Sequence, residues 1–134
     1  MARIDDIEGI GPVFAAKLVE VGVKTVEALL KAGATPKGRV DLAEKSGIDK
    51  GKILEWVNHA DLYRIKGIGS EYSDLLEEAG VDTVVELSKR KSENLHAKIL
   101  EVNLEKKLVR RPPSFKMVED WVKQAKDLPR VVTY

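Results

Sequence analysis

Two short segments carry residue types that could do chemistry. Gly9-Ile10-Gly11 and Gly67-Ile68-Gly69 each set two glycines around one isoleucine. Glycine admits positive φ and close backbone approach, so a segment of this kind can reverse the chain within about four residues. The central isoleucine would pin the turn into a core. If a helix begins at the second glycine, the amides of Gly11 and Val13, or of Gly69 and Glu71, have no acceptor within that helix and lie at the positive end of its dipole. Amides so placed suit an anion, and a phosphate is the natural guest. Backbone donors hold a phosphodiester without reading its sequence.

The charged side chains around these turns are mixed. Asp5, Asp6 and Glu8 precede the first, and Glu71 and Asp74 follow the second. Arg64 and Lys66 stand beside the second turn. Each half also holds a weaker turn. In the first it lies between Leu42 and Ile53, where Gly47-Ile48-Asp49 carries Asp49 in place of a second glycine and Lys50 and Lys52 flank it. In the second it is Arg110-Arg111-Pro112-Pro113-Ser114-Phe115-Lys116, with no glycine at all.

The whole chain has 134 residues with 23 basic against 22 acidic side chains, a formal charge of +1. Residues 1–61 are net −1 and residues 62–134 net +2, while Lys89–Arg111 alone carries +5. Phosphate binding, if it occurs, is therefore expected to favour the second half and to be weak and salt-sensitive. A hydrophobic share of 43% excludes a disordered polyampholyte. The chain holds no cysteine, which removes disulfides, thiolate zinc sites and a cysteine nucleophile. The segment MARIDDIEGIG has no apolar signal core, and no apolar run approaches the roughly 18 residues of a membrane span, so a soluble, cytoplasmic protein without membrane partners is expected. His59 and His96 have no third ligand near them in sequence, and neither a Ser/His/Asp spacing nor a P-loop is present. The expectation is a binding module rather than an enzyme, with no catalytic residue, metal or cofactor.

The elements that must position these turns come from a repeat. A shift of 58 residues lays Ile7–Lys31 on Ile65–Lys89 with 12 of 25 positions identical, and Phe14 falls on Tyr72. At a shift of 65, Trp56-Val57 and Ala60 fall on Trp121-Val122 and Ala125. Equivalent repeat positions make both tryptophans core residues rather than base-stacking platforms. Apolar spacing is helical throughout, as in Phe14, Leu18 and Val21. Thr25, three residues after the helix-stopping Gly22, predicts a tight turn between two helices. Pro36 opens a third helix to about Lys45, and Asp49 caps a fourth from Lys50 to Ala60. The second half repeats the plan over Tyr72–Ala79, Val84–Lys89, roughly Asn94–Leu108 and Phe115–Lys126, with Ser114 as a cap. Only Arg130–Tyr134 has any strand character. Gly38 and Gly51 fall inside helical segments, where glycine costs stability. The reading is all-α: two tandem units of about 60 residues, 1–61 and 62–127, followed by a C-terminal tail, 128–134.

The segment Ile4-x-x-Ile7-x-Gly9-Ile10-Gly11-x-x-x-Ala15-x-x-Leu18-Val19 matches the helix-hairpin-helix pattern at every specified position. Leu62-x-x-Ile65-x-Gly67-Ile68-Gly69-x-x-x-Ser73-x-x-Leu76 follows it with Ser for Ala and Glu77 at the last apolar place. Each unit, hairpin followed by a GVxT turn, a helix and a second hairpin, resembles the paired helix-hairpin-helix domain found at the N-terminus of RecA-like recombinases. The complete chain is also similar to an uncharacterised family known as a domain of unknown function, through stretches such as LAEKSGI, ILEWVNHADL, EYSDLLEEAGVDTV, EKKLVRR and LPRVVTY. The helix-hairpin-helix resemblance implies phosphate contacts across a minor groove. Carried over, it points to Gly9, Gly11 and Val13 with Lys17 in the first unit, and to Gly67, Gly69 and Glu71 in the second. Lys50, Lys52, Arg64, Lys66, Arg110, Arg111 and Lys116 are the flanking cations that would join them. In some members such turns hold a monovalent cation on their carbonyls.

Two functions are weighed on this basis. The first is a DNA-binding module that contacts the phosphate backbone without sequence preference. The second is a protein-interaction or scaffold module, in which the exposed hairpins or the Val131-Val132-Thr133-Tyr134 tail dock a partner or a second copy.

Overall fold

In the computed structural model, which describes residues 2–134, local sequence signals set most helix boundaries. The chain is all-α. A single 3-10 turn, Ile4–Asp6, leads into α1 (Pro12–Glu20), α2 (Val26–Ala32), α3 (Pro36–Ser46), α4 (Lys50–Leu62), α5 (Ser70–Glu78), α6 (Val84–Ser88), α7 (Ser92–Lys106) and α8 (Phe115–Asp127). Among the described residues the sole β feature is an isolated antiparallel bridge between Arg3 and Thr25. Arg130–Tyr134 is thus irregular rather than a strand. Among the same residues, no helix is long and apolar enough to cross a membrane.

The stop-and-start signals are visible in the hydrogen bonds. Gly22 takes φ +90°, and its N–H donates to the Val19 carbonyl at 3.0 Å while the Val23 N–H reaches back to Leu18 at 2.8 Å. That 5→2 and 6→1 pair is a Schellman ending, and Val23 and Leu18 are both buried beneath it. Gly80 repeats it at φ +93°, with its N–H on Glu77 at 3.0 Å and the Val81 N–H on Leu76 at 2.8 Å. Thr25 and Thr83 then cap the next helices, their hydroxyls accepting from the Ala28 and Glu86 amides at 3.1 and 3.2 Å. A cap of this kind contributes about 1 kcal/mol. Asp49 and Ser114 cap α4 and α8 in the same way, accepting from Gly51 at 3.0 Å and Met117 at 3.2 Å.

The chain divides into two compact units. The first holds the residues up to Asp61 together with Val131–Tyr134; the second is Leu62–Arg130. In the first, α3 packs on α1 and α2, and the 3-10 turn touches both of those helices. Ile7, Leu18, Leu29 and Ile53 are buried completely or nearly so. Gly38 now has a reason: a Cβ there would run into the Ala32 carbonyl, so glycine lets the start of α3 close on the end of α2. At Gly51 the Cβ position lies 2.9 Å from the capping oxygen of Asp49. The last residues are tied to this unit, since Val132 is buried and the Thr133 N–H donates to the Ala34 carbonyl at 2.8 Å.

The second unit is built on α8, which packs against α6 and α7, with α5 on α7. Trp121, Leu76, Leu87, Leu95 and Ile99 belong to its core. Burying side chains of this size contributes roughly 1.5–3 kcal/mol each.

Candidate functional site

The two glycines of each Gly-x-Gly turn do different jobs. Gly9 and Gly67 take φ +94° and +100°, a region that L side chains avoid. A Cβ at Gly67 would lie 3.0 Å from Trp121 Nε1, and one at Gly9 would lie 3.5 Å from Trp56 Nε1. The first glycine is therefore demanded by backbone conformation and by the indole beside it. Gly11 and Gly69, by contrast, have φ −82° and −117°, and a Cβ at either would meet nothing within 4 Å. The fold makes no steric demand for glycine there.

Those second glycines are the N-caps of α1 and α5, and neither helix has a side-chain cap. Among the described residues, the amides of Gly11 and Val13 have no acceptor, nor do those of Gly69, Ser70 and Glu71. Pro12 at the first helical position supplies no N–H, so the second turn offers one donor more than the first. Ser70 is the residue that motif reading passed over, and its place opposite Pro12 in the repeat was the available signal. Val13 stands 69% exposed at the tip of α1.

Each turn is braced by an aromatic pair at one geometry. Phe14 and Trp56 have ring centroids 5.2 Å apart at 58°, and Tyr72 and Trp121 are 5.2 Å apart at 54°. Tilted contacts at this distance favour the pair beyond simple burial. Both tryptophans are buried and serve the core.

The cations divide. Lys17 from α1 and Lys52 from α4 converge on the Phe14 ring, their Nζ atoms 5.9 and 5.6 Å from its centroid. Phe14 follows Val13 directly, so this charge stands beside the start of α1. Lys50 is turned away and lines a separate cleft with Arg39 and Tyr134. In the second unit the Arg64 guanidinium donates to the Pro129 carbonyl at 2.6 Å. Lys66 keeps an exposed side chain while its backbone is gripped by Gln124, whose Oε1 accepts from the Lys66 N–H at 2.9 Å and whose Nε2 donates to its carbonyl at 3.1 Å. The Tyr72 hydroxyl donates to the Arg111 carbonyl at 2.9 Å, which draws the turn after α7 to the first turn of α5. Arg110, Arg111 and Lys116 are exposed.

That second turn starts earlier than the motif placed it. Lys107 ends α7 in the left-handed region at φ 52°, doing for α7 what Gly47 at φ 74° does for α3. Asn103, 8% exposed, then clamps the turn: its Oδ1 accepts from the Val109 N–H at 2.9 Å and its Nδ2 donates to the Val109 carbonyl at 3.1 Å. His96 Nε2 lies 3.1 Å from the Pro113 carbonyl. His96 is thus part of the turn's support.

A protein-family model described as a domain of unknown function, DUF4332, matches residues 8–128. The chain belongs to the DUF4332 family. Comparison with curated proteins and with solved structures found no match. The span shared with DUF4332 takes in both Gly-x-Gly turns, both aromatic pairs and the Asn103 clamp, and leaves out Val131–Tyr134. Within this DUF4332 chain, Asp74, Glu77 and Glu78 of α5 bring carboxylate oxygens within 4.8 Å of one another. Lys106 Nζ sits 2.5 Å from Glu78 Oε2, and that contact, with the charge of Glu78, holds the Lys106 pKa above its ordinary value. The ammonium already neutralises part of this cluster.

Proposed function

We propose that the two Gly-x-Gly turns are helix-hairpin-helix elements, similar to those of RecA-like recombinases, and bind DNA phosphates without sequence preference. The observation that carries this reading is the pair Gly11 and Gly69. Nothing in the fold needs glycine at either, yet both cap helices whose first amides have no acceptor among the described residues. A side chain there would obstruct an anion approaching those amides. Lys17 and Lys52 support the first turn, and the Ser70 amide with the Arg110-Arg111 turn supports the second. Glu71 and Asp74 oppose binding at the second, which keeps the affinity low.

The test is a mobility-shift titration against single-stranded, duplex and branched DNA. Binding at about 50 mM salt that collapses by about 200 mM is expected, with a log–log slope near −4 for about four phosphate contacts. Gly11→Ala and Gly69→Ala should each weaken binding about tenfold while leaving the melting temperature unchanged. Lys66→Glu and Arg111→Glu should abolish what remains. Absence of a shift with all three DNAs at the lower salt would sink the proposal.

A second reading, a protein-interaction module, draws on α7. Leu100 and Leu104 form an exposed apolar pair at i,i+4, Leu104 at 81%. Sedimentation of the wild type against Leu104→Glu would show an association that depends on this pair.

A further inference from the structure

Arg39 is the most deeply buried cation of the first unit, at 5% exposure. Its Nη1 donates to the Gly33 carbonyl at 2.8 Å and its Nη2 to the Thr133 carbonyl at 2.7 Å. Both acceptors are neutral. Among the described residues no Asp or Glu pairs with the guanidinium. Buried charges ordinarily have a counter-charge, because desolvation of an unpaired ion is expensive. Arg39 also lines an open cleft of about 310 Å³, together with Pro36, Val40, Lys50, Gly51, Leu54 and Tyr134.

The lining has a definite chemistry. Arg39 and Lys50 supply two positive charges. Asp49, which precedes Lys50 in the turn, has Oδ2 engaged by the Gly51 amide. Pro36, Val40 and Leu54 make apolar walls. The Tyr134 ring lies 5.7 Å from Arg39 Cζ and is held by its hydroxyl, which donates to Asn58 Oδ1 at 3.0 Å, while the residue remains 64% exposed. An anchored, exposed aromatic face next to cations is a stacking surface.

We propose that this cleft binds a small organic anion with a flat, largely apolar body. The anionic group meets the exposed Lys50, with the buried Arg39 charge behind it, and the flat body lies on Tyr134 between Val40 and Leu54. The volume is at the lower end for ligand pockets, which suits a single ring system rather than a dinucleotide. The site is separate from the Gly-x-Gly turns, so its failure leaves the phosphate-binding proposal standing.

Amide NMR titration of the full chain tests it, with adenosine monophosphate and benzoate as probes for a phosphate and a carboxylate source. Adenosine, lacking the charge, and inorganic phosphate, lacking the flat body, are the controls. Saturable shifts at Val40 and Gly51 are expected for at least one of the two probes, with a Kd of about 1 mM or tighter. The corresponding control should bind at least about tenfold more weakly. Val40→Glu and Lys50→Glu change exposed residues, leave the Arg39 hydrogen bonds in place, and should weaken binding about tenfold or more. Lys17→Glu should leave binding unaltered. The proposal is overturned if neither probe saturates by about 10 mM, if the controls bind equally well, or if both variants titrate as the wild type does.

Discussion

The first turn of each unit is the same object, and the second turn is not. Gly9 and Gly67 share a positive φ, an indole nitrogen at the would-be Cβ and a tilted aromatic pair at 5.2 Å. The turns that follow α3 and α7 share only a left-handed residue at the start and a side-chain cap at the end. In the first unit that residue is Gly47, three residues suffice before α4 begins, and Ser46 bridges the bend by donating to Leu42 at 2.7 Å and accepting from Ile48 at 3.2 Å. In the second it is Lys107, the connection runs to Ser114, and a buried asparagine does the work. Sterics explain the contrast. A turn pressed against an indole tolerates one conformation, whereas a longer solvent-edged connection accepts any solution that satisfies its backbone.

Four measurements would break or sharpen this comparison. The largest effect is expected at Asn103. Asn103→Ala strands the Val109 amide and carbonyl in a buried site and should cost about 3 kcal/mol in denaturant unfolding, against about 1 kcal/mol for Ser46→Ala. Equal costs would mean the two second turns are held alike after all. Next come the first glycines: Gly67→Ala and Gly9→Ala should each lose about 1–3 kcal/mol from backbone strain, with Gly67 the worse because of its 3.0 Å approach to Trp121. A smaller change of opposite sign belongs to Lys107→Gly, which relieves a left-handed lysine and should raise stability by up to about 1 kcal/mol. Gly47→Ala should do the reverse.

The smallest effect concerns the Lys106–Glu78 pair, which sits at the surface. The folded-state pKa of Lys106 is raised, chiefly by the hydrogen bond to Glu78 and then by its charge. The sign follows from linkage: the pair's contribution is complete below the unfolded lysine value of about 10.4 and is lost as pH rises through the higher folded value. Lys106→Met should therefore flatten the melting temperature's fall at alkaline pH, and leave the acid side alone.

Several features were legible because they are local. Gly22 with Thr25, and Gly80 with Thr83, announce their turns within four residues, since a helix end and a cap are settled by neighbouring hydrogen bonds. The tryptophan pair was readable from the repeat, because equivalent positions in two copies share an environment. Other features depended on distant partners. Arg39 carries no signal of its own beyond its place three residues before Leu42, and it is buried through Gly33 and Thr133, the latter 94 positions away. Asn103 sits four residues after Ile99 on the core stripe of α7, the one hint of its burial. The demand for glycine at position 38 comes from the Ala32 carbonyl beside it, which helix propensity does not show.

The sequence by itself determined the all-α class, most helix ends and the need for glycine at the two turns, because those follow from φ preferences, caps and apolar period acting within a few residues. The tertiary structure alone decided which lysines meet at Phe14, that Tyr72 and Asn103 hold the turn after α7, and that the last residues return to clamp on Arg39. Side-chain convergence across long stretches of chain is a property of packing, and packing is set by the whole core at once.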